Sequence, residues 1–192
     1  MDELVYPLKT ARLLLRPYAE SDYEALYEIQ SRSDVTRFLY WGPRDRTEVR
    51  ESLEMKLRAT RLDDEGDNLT LAVVLPETGA LAGDVQLIWT SRDHFQGEIG
   101  YVLHPDHTGR GYATEAADVM LRIGFERLGL HRICGRLDGR NAASAGVLER
   151  LGMRREAHFR ENEFVKSEWT DELVYAILED EWRARRDAIT GR

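Results

Sequence analysis

"HPDHTGRGYATEAADVM", residues 104–120, is the stretch on which the fold reading turns. Gly109 and Gly111 flank Arg110, Tyr112 and Ala113 follow, and a helical pattern then begins. Glycine inside a helix costs about 1 kcal/mol relative to alanine, so the pair needs a reason. One reason is a backbone bent to bring N–H groups onto an anion. The other is an ordinary strand–helix corner.

Motif logic narrows the anion reading. A Walker A loop needs a lysine after its last glycine, and none follows Gly111. The dinucleotide fingerprint needs a third glycine where Thr114 stands. What remains is a Gly-x-Gly turn opening a helix, whose orphan N–H groups and dipole favour negative charge.

Outward from the loop, "GEIGYVLHP" (97–105) reads as a strand ended by proline, and "HRICGRL" (131–137) as a strand by alternation. The helix between them carries Ala113, Ala117, Met120 or Leu121, Gly124 and Leu128 as one stripe. "NAASAGVLERLGM" (141–153) predicts a helix capped by Asn141 and stopped by Gly152. Upstream, "ARLLLRPY" (11–18) predicts a strand, and 21–30 and 45–62 predict amphipathic helices. Residues 68–88 predict two strands around Pro76–Gly79, and 171–182 a late strand. The C-terminal "EWRARRDAITGR" reads as a solvated end or a frayed helix. The order predicts one α/β (α+β) domain over residues 1–192, with helices covering a mixed, mostly antiparallel twisted sheet.

Composition bounds the function. The 192 residues are 42% hydrophobic and 32% charged, with a net charge of −8. That balance argues against direct nucleic-acid binding and mildly favours cationic partners such as amines. The single cysteine, Cys134, excludes an internal disulfide framework and a multi-cysteine metal site. His104 and His107 are separated by Pro105 and joined by no cysteine, so no metal is expected. The opening residues lack a basic stretch followed by a long apolar run, and neither a signal peptide nor membrane contact is expected. The expected location is cytoplasmic.

The loop resembles the coenzyme A loop of the GNAT acetyltransferase superfamily, Gln/Arg-x-x-Gly-x-Gly/Ala, with Gly111 and Ala113 matching and Thr108 departing from the usual first residue. "ARLLLRPYAESD", "PETGALAGDV", "GEIGYVLHPDH", "NAASAGVLERLGM" and "ENEFVKSEWTDELVYAIL" are similar to the ribosomal-protein N-terminal acetyltransferase branch, over about residues 10–182.

The resemblance implies central strands that splay, with acetyl-CoA as co-substrate. The backbone of Val102, Leu103 and His104 would meet the pantetheine, and Thr108, Gly109, Arg110, Gly111, Tyr112, Ala113 and Thr114 the pyrophosphate. A backbone N–H of the strand would hold the thioester oxyanion. Asn141 is explained as an N-cap, and the resemblance adds coenzyme contact or ordering of a water. Ser144 is either helix surface or the acid for the departing thiolate. Glu98 is either an exposed strand charge or the base, acting through a water. Cys134 reads as structural, since no acyl-enzyme is needed. Tyr40 and Trp41, with Phe38, fall where the family roofs its substrate cleft. The implied activity is direct acetyl transfer to an amine, either a protein N-terminus or a small molecule, by a monomer or homodimer. The alternatives are a non-catalytic acyl-CoA sensor and a nucleotide-binding protein.

Overall fold

The computed structural model describes residues 4–190. Eight strands form one open sheet: β1 (Leu8–Lys9), β2 (Leu14–Arg16), β3 (Asn68–Val74), β4 (Leu81–Ser91), β5 (Gln96–Leu103), β6 (Arg132–Asp138), β7 (Arg154–Val165) and β8 (Glu168–Leu178). The helices are α1 (Tyr23–Gln30), α2 (Ser33–Thr36), α3 (Arg46–Arg58), α4 (Tyr112–Arg122), α5 (Ala142–Arg150) and α6 (Glu179–Thr190). Spatial order is β1-β2-β3-β4-β5-β6-β8-β7, antiparallel everywhere except between β5 and β6. Among the described residues no helix is long and apolar enough to cross a membrane.

Both sheet faces are covered, and β3 shows how. Leu69, Leu71 and Val73 pack into the core shared with α4, while Ala72 and Val74 face α1 and α3 through Leu26, Ile29, Val49 and Leu53. A period of two therefore serves two cores. On α4 the stripe Ala113, Ala117, Met120 and Leu121 is buried. The helix then loosens into a π turn over Ile123–Arg127. Gly124 sits there because a Cβ would stand 2.5 Å from Ile133 Cδ1 on β6.

The feature that makes a site is the β5–β6 junction. These parallel strands pair only at Gln96↔Arg132, Gly97↔Ile133 and Glu98↔Cys134, then diverge. The expected splay is present, with Glu98 at its vertex.

Three sequence expectations change. The strand expected over 11–18 shortens to β2, which pairs with the unforeseen β1 upstream in a hairpin closed where Thr10 N–H and its hydroxyl bond Leu13 O. The strand expected over 171–182 ends at Leu178, because Glu179, Asp180 and Glu181 supply the acidic first turn that favours a helix. The C-terminal segment is consequently neither a solvated end nor frayed through its first half: Trp182 is 2% exposed and stacks 5.1 Å from Phe125. Strand β7, polar and mostly exposed, was not expected, since it has no apolar alternation to reveal it.

Candidate active site

The glycine loop owes its shape to backbone angles. Gly109 and Gly111 have φ of +71° and +82°, a region that side chains rarely adopt. Before Gly109 nothing lies within 4 Å of a would-be Cβ, so the loop presents bare backbone. Glu115 N–H makes the first bond of α4, to Gly111 O at 3.0 Å. The N–H groups of Tyr112, Ala113 and Thr114 precede it and have no partner inside the helix. Thr108 differs from expectation: its N–H and its hydroxyl both donate to Pro105 O, at 3.1 and 2.8 Å. Its backbone donor is committed to the turn.

Arg12, far upstream, holds this loop in place. Its Nε donates to Glu115 Oε2 at 2.7 Å and its Nη1 to Arg110 O at 2.8 Å. Thr10 and the Arg12 N–H donate to Glu115 Oε1 at 2.6 and 2.8 Å. Burial would raise the Glu115 pKa, but these bonds outweigh it and hold the carboxyl below its ordinary value.

A cavity of about 570 Å³ runs from the loop to α5. Of the expected cofactor contacts, Val102, Leu103, Thr108, Gly109, Gly111, Tyr112, Ala113, Thr114, Asn141 and Ser144 line it. The His104 and Arg110 side chains do not. His104 Nδ1 accepts from Asp106 N–H at 3.2 Å, and Arg110 is exposed. Arg150, which the sequence reading overlooked, adds a cation to the wall and donates to Thr114 Oγ1 at 3.3 Å.

The free edge of β5 is not uniform. His104 N–H bonds Ala82 O, and the Val102 carbonyl stands where a Gly83 Cβ would be. Both residues therefore direct their backbone groups to β4. Ladder alternation turns those of Leu103 and Tyr101 into the gap between β5 and β6.

A second cavity, about 380 Å³, opens on the other side of the gap. It contains Glu98, Tyr40 and Trp41, and shares Tyr101, Val102, Asn141 and Ser144 with the first. Burial pushes the Glu98 carboxyl above its ordinary value, and nearby Arg136 offsets only part of that. Cys134 approaches Glu98 Oε2 at 3.9 Å, and its thiol is pushed up to about 11, chiefly by burial. Such a thiol stays protonated near neutrality.

At the wall between the cavities, Asn141 accepts from Ser144 N–H at 3.1 Å and so caps α5. Tyr101 Oη lies 2.9 Å from Ser144 Oγ and donates to Ser144 O at 3.0 Å. Burial pushes the Tyr101 phenol up to about 12. Tyr101 was not singled out in the sequence, because only the folded register brings it to Ser144. Among the described residues no group of three or more His, Cys, Asp or Glu could hold a metal.

A cavity walled by a bare-backbone loop thus joins a second chamber into which the half-buried Glu98 carboxylate is set. Residues 12–154 match the family model described as the acetyltransferase (GNAT) domain. The chain is 35% identical over 176 residues to the uncharacterized N-acetyltransferase YnaD of Bacillus subtilis (strain 168), covering 91% of this chain and 98% of that one. Its fold superposes with a TM-score of 0.81 on the GNAT-family acetyltransferase from Bacillus anthracis, at 34% identity, covering 90% and 98% of the two chains. A more distant structure shares the fold: the Vibrio cholerae spermidine N-acetyltransferase in complex with CoA and spermine, TM-score 0.76 at 22% identity, covering 91% and 99%. The chain belongs to the GNAT family of acetyl-CoA-dependent N-acetyltransferases.

Proposed function

We propose that this enzyme moves the acetyl group of acetyl-CoA directly to a primary amine seated in the 380 Å³ cavity. The observation that carries the reading is the meeting of the two cavities at Tyr101 and Ser144, with Glu98 on the acceptor side. The thioester supplies an activated acyl group. The remaining chemistry is positioning and proton movement by the chain itself.

Three sets of groups divide that work. The loop backbone, the open first turn of α4 and Arg150 receive the pyrophosphate. Leu103 and Tyr101 offer backbone groups to the pantetheine amides, and an N–H of this pair would stabilise the oxyanion at the attacked carbonyl. Glu98, its pKa raised by burial, takes a proton from the acceptor's ammonium through a water, and the neutral amine then attacks the thioester. Ser144 returns a proton to the departing sulfur and regains one from solvent, its hydroxyl oriented by the Tyr101 oxygen 2.9 Å away. The Cys134 thiol, held protonated, is a poor nucleophile, which favours direct transfer over a covalent acyl-enzyme.

A chamber of this volume suits a small amine or the first residues of a protein N-terminus. An α-amine, with a pKa of about 8, needs less help from a base than a lysine at about 10.4. The test is thiol release from acetyl-CoA across a panel of amines and short peptides. Turnover supports the transferase reading, whereas acetyl-CoA binding with no turnover on any amine favours an acyl-CoA sensor.

A further inference from the structure

The charges of the acceptor cavity are not those of the whole chain. Although the protein carries a net charge of −8, six basic and five acidic side chains line this chamber. Most of the acids are already engaged. Asp84 is bonded by Lys56 at 2.9 Å and by Tyr18 at 2.8 Å. Arg140 takes Asp138 at 2.6 Å and Glu168 at 3.0 Å. Glu163 accepts the Tyr40 hydroxyl at 3.1 Å. Only Glu98 stands without an ion pair or a strong donor.

Among the bases, Arg136 is spent on the buried Glu172, at 2.7 and 2.9 Å, and Lys166 donates to the carbonyls of Thr36 and Arg37. Arg44 is different. Its Nη1 donates to Gln30 Oε1 at 3.1 Å, its backbone N–H to Gln30 O at 3.0 Å, and its guanidinium lies 4.1 Å from the centre of the Trp41 ring. Gln30 is itself buried and donates its Nε2 to the buried Ser52 Oγ at 3.0 Å. The guanidinium is thus half-buried and oriented entirely by neutral groups. No carboxylate of the described residues pairs with it. Glu48 is tied to Asp45 N–H in the cap of α3, and Asp84 is held by Lys56. Burial lowers the Arg44 pKa even with Glu48, Asp84 and Glu51 in the neighbourhood.

A guanidinium has five N–H donors in a rigid fork, and one of those of Arg44 is used by a side chain. Holding it in a cavity wall without a counter-charge is costly unless the charge arrives with the ligand. We propose that Arg44 recognises a carboxylate on the acceptor, so that the substrate class is a small primary amine carrying a carboxylate, the amine directed to Glu98 and the carboxylate to Arg44. Arg37, also without a carboxylate partner among the described residues and stacked 4.9 Å from the Phe38 ring, adds to the positive end of the same wall. A polyamine would need a row of free carboxylates, and this chamber offers one. The inference rests on the transferase reading above.

The test compares L-methionine, L-phenylalanine and L-serine with their primary amides, alongside spermidine and an alanine-initiated tetrapeptide amide, by thiol release. A charge-assisted hydrogen bond predicts kcat/KM for at least one acid about tenfold or more above its amide, with the difference mainly in KM. Arg44→Gln is expected to bring that acid and its amide within about twofold, by loss of the same bond. A raised melting midpoint with acetyl-CoA shows that the variant is folded. Acids and amides used equally by the wild type, a preference that survives in Arg44→Gln, or spermidine or the peptide as the best acceptor would overturn the carboxylate assignment while leaving the transferase intact. No turnover with any amine would remove the transferase reading, and this one with it.

Discussion

Tyr101 Oη and Ser144 Oγ lie 2.9 Å apart, on a strand and a helix separated by more than forty residues, where the two cavities meet. A phenol has one proton. Burial keeps it on the oxygen near neutrality, and it is donated to the Ser144 carbonyl, which leaves the phenol oxygen to accept from and orient the Ser144 hydroxyl.

Ser144→Ala should therefore lower kcat by about a hundredfold, within the range of general acid catalysis, with the acetyl-CoA Kd changed less than about twofold. Tyr101→Phe keeps the ring and the cavity wall and loses only the hydroxyl that orients Ser144, so its kcat should fall by about tenfold, the worth of one hydrogen bond. Steady-state thiol release together with calorimetric titration of CoA separates the two effects. A Tyr101→Phe enzyme of unchanged kcat would assign that hydroxyl to packing alone.

Glu98 should govern the acid side of the pH profile. As a base it must be ionised, so activity falls as pH drops through a pKa that burial has raised above the ordinary carboxylate value. Glu98→Gln should remove that limb and lower kcat/KM by about a hundredfold or more. Stability moves the other way. A carboxyl with a raised folded-state pKa binds its proton more tightly folded than unfolded, so the wild type loses stability as pH rises from the unfolded value through the folded one. At pH 8 Glu98→Gln should melt at or above the wild-type temperature, which a pair of melts at pH 4 and pH 8 would check.

The loop prediction separates shape from space. Gly109→Asn keeps a residue that tolerates positive φ and should fold normally, with acetyl-CoA affinity reduced by the side chain it adds to the cradle. Gly111→Trp places a ring where φ is +82° and the cavity wall begins, and should abolish binding. A ligand at a hundred times its Kd adds about 2.7 kcal/mol, so the wild-type midpoint should rise clearly with acetyl-CoA while that of Gly111→Trp stays fixed. Equal shifts in the two proteins would refute the cradle.

Arg12 acts on the same loop from a distance. Arg12→Ala frees the Arg110 carbonyl and Glu115 Oε2, leaving Oε1 bonded by Thr10 and the residue-12 N–H, and acetyl-CoA affinity should fall roughly tenfold, about one charge-assisted hydrogen bond. Glu115→Gln, which retains an acceptor for Thr10 and the Arg12 N–H, should lose less. Titration of CoA into the three proteins gives the order directly.

The C-terminal helix has its own test. Trp182→Ala empties a buried site against Phe125 and should cost about 3–5 kcal/mol in urea unfolding, far more than removal of a side chain from a frayed end.

Much of this was legible along the chain because it depends on neighbours in sequence. Positive φ at Gly109 and Gly111, the Asn141 cap, the apolar stripe of α4 and the β–loop–α–β order are local properties, set by φ preferences and by periods of two and 3.6. Glu98, Asn141 and Ser144 could be singled out for the same reason, as residue types at readable places on a strand and a helix. Strand β7 and the docking of helix α6 were hidden, because the first is stabilised by pairing with β8 and the second rests on Trp182 meeting Phe125. Nothing in "RREAHFRENEFV" or "EWRARR" announces either partner. The site's finer chemistry was hidden likewise. The splay after Glu98↔Cys134, the Arg12 hold on the loop, the Tyr101–Ser144 contact and the unpaired Arg44 on Trp41 join residues that only the sheet register brings together. Net charge described only the chain as a whole, and pairing in the folded cavity, not composition, is what leaves Arg44 without a carboxylate among the described residues. The sequence by itself determined which elements form and where an anion would be cradled. Tertiary structure decided which charges remain unpaired, because only packing selects the partners.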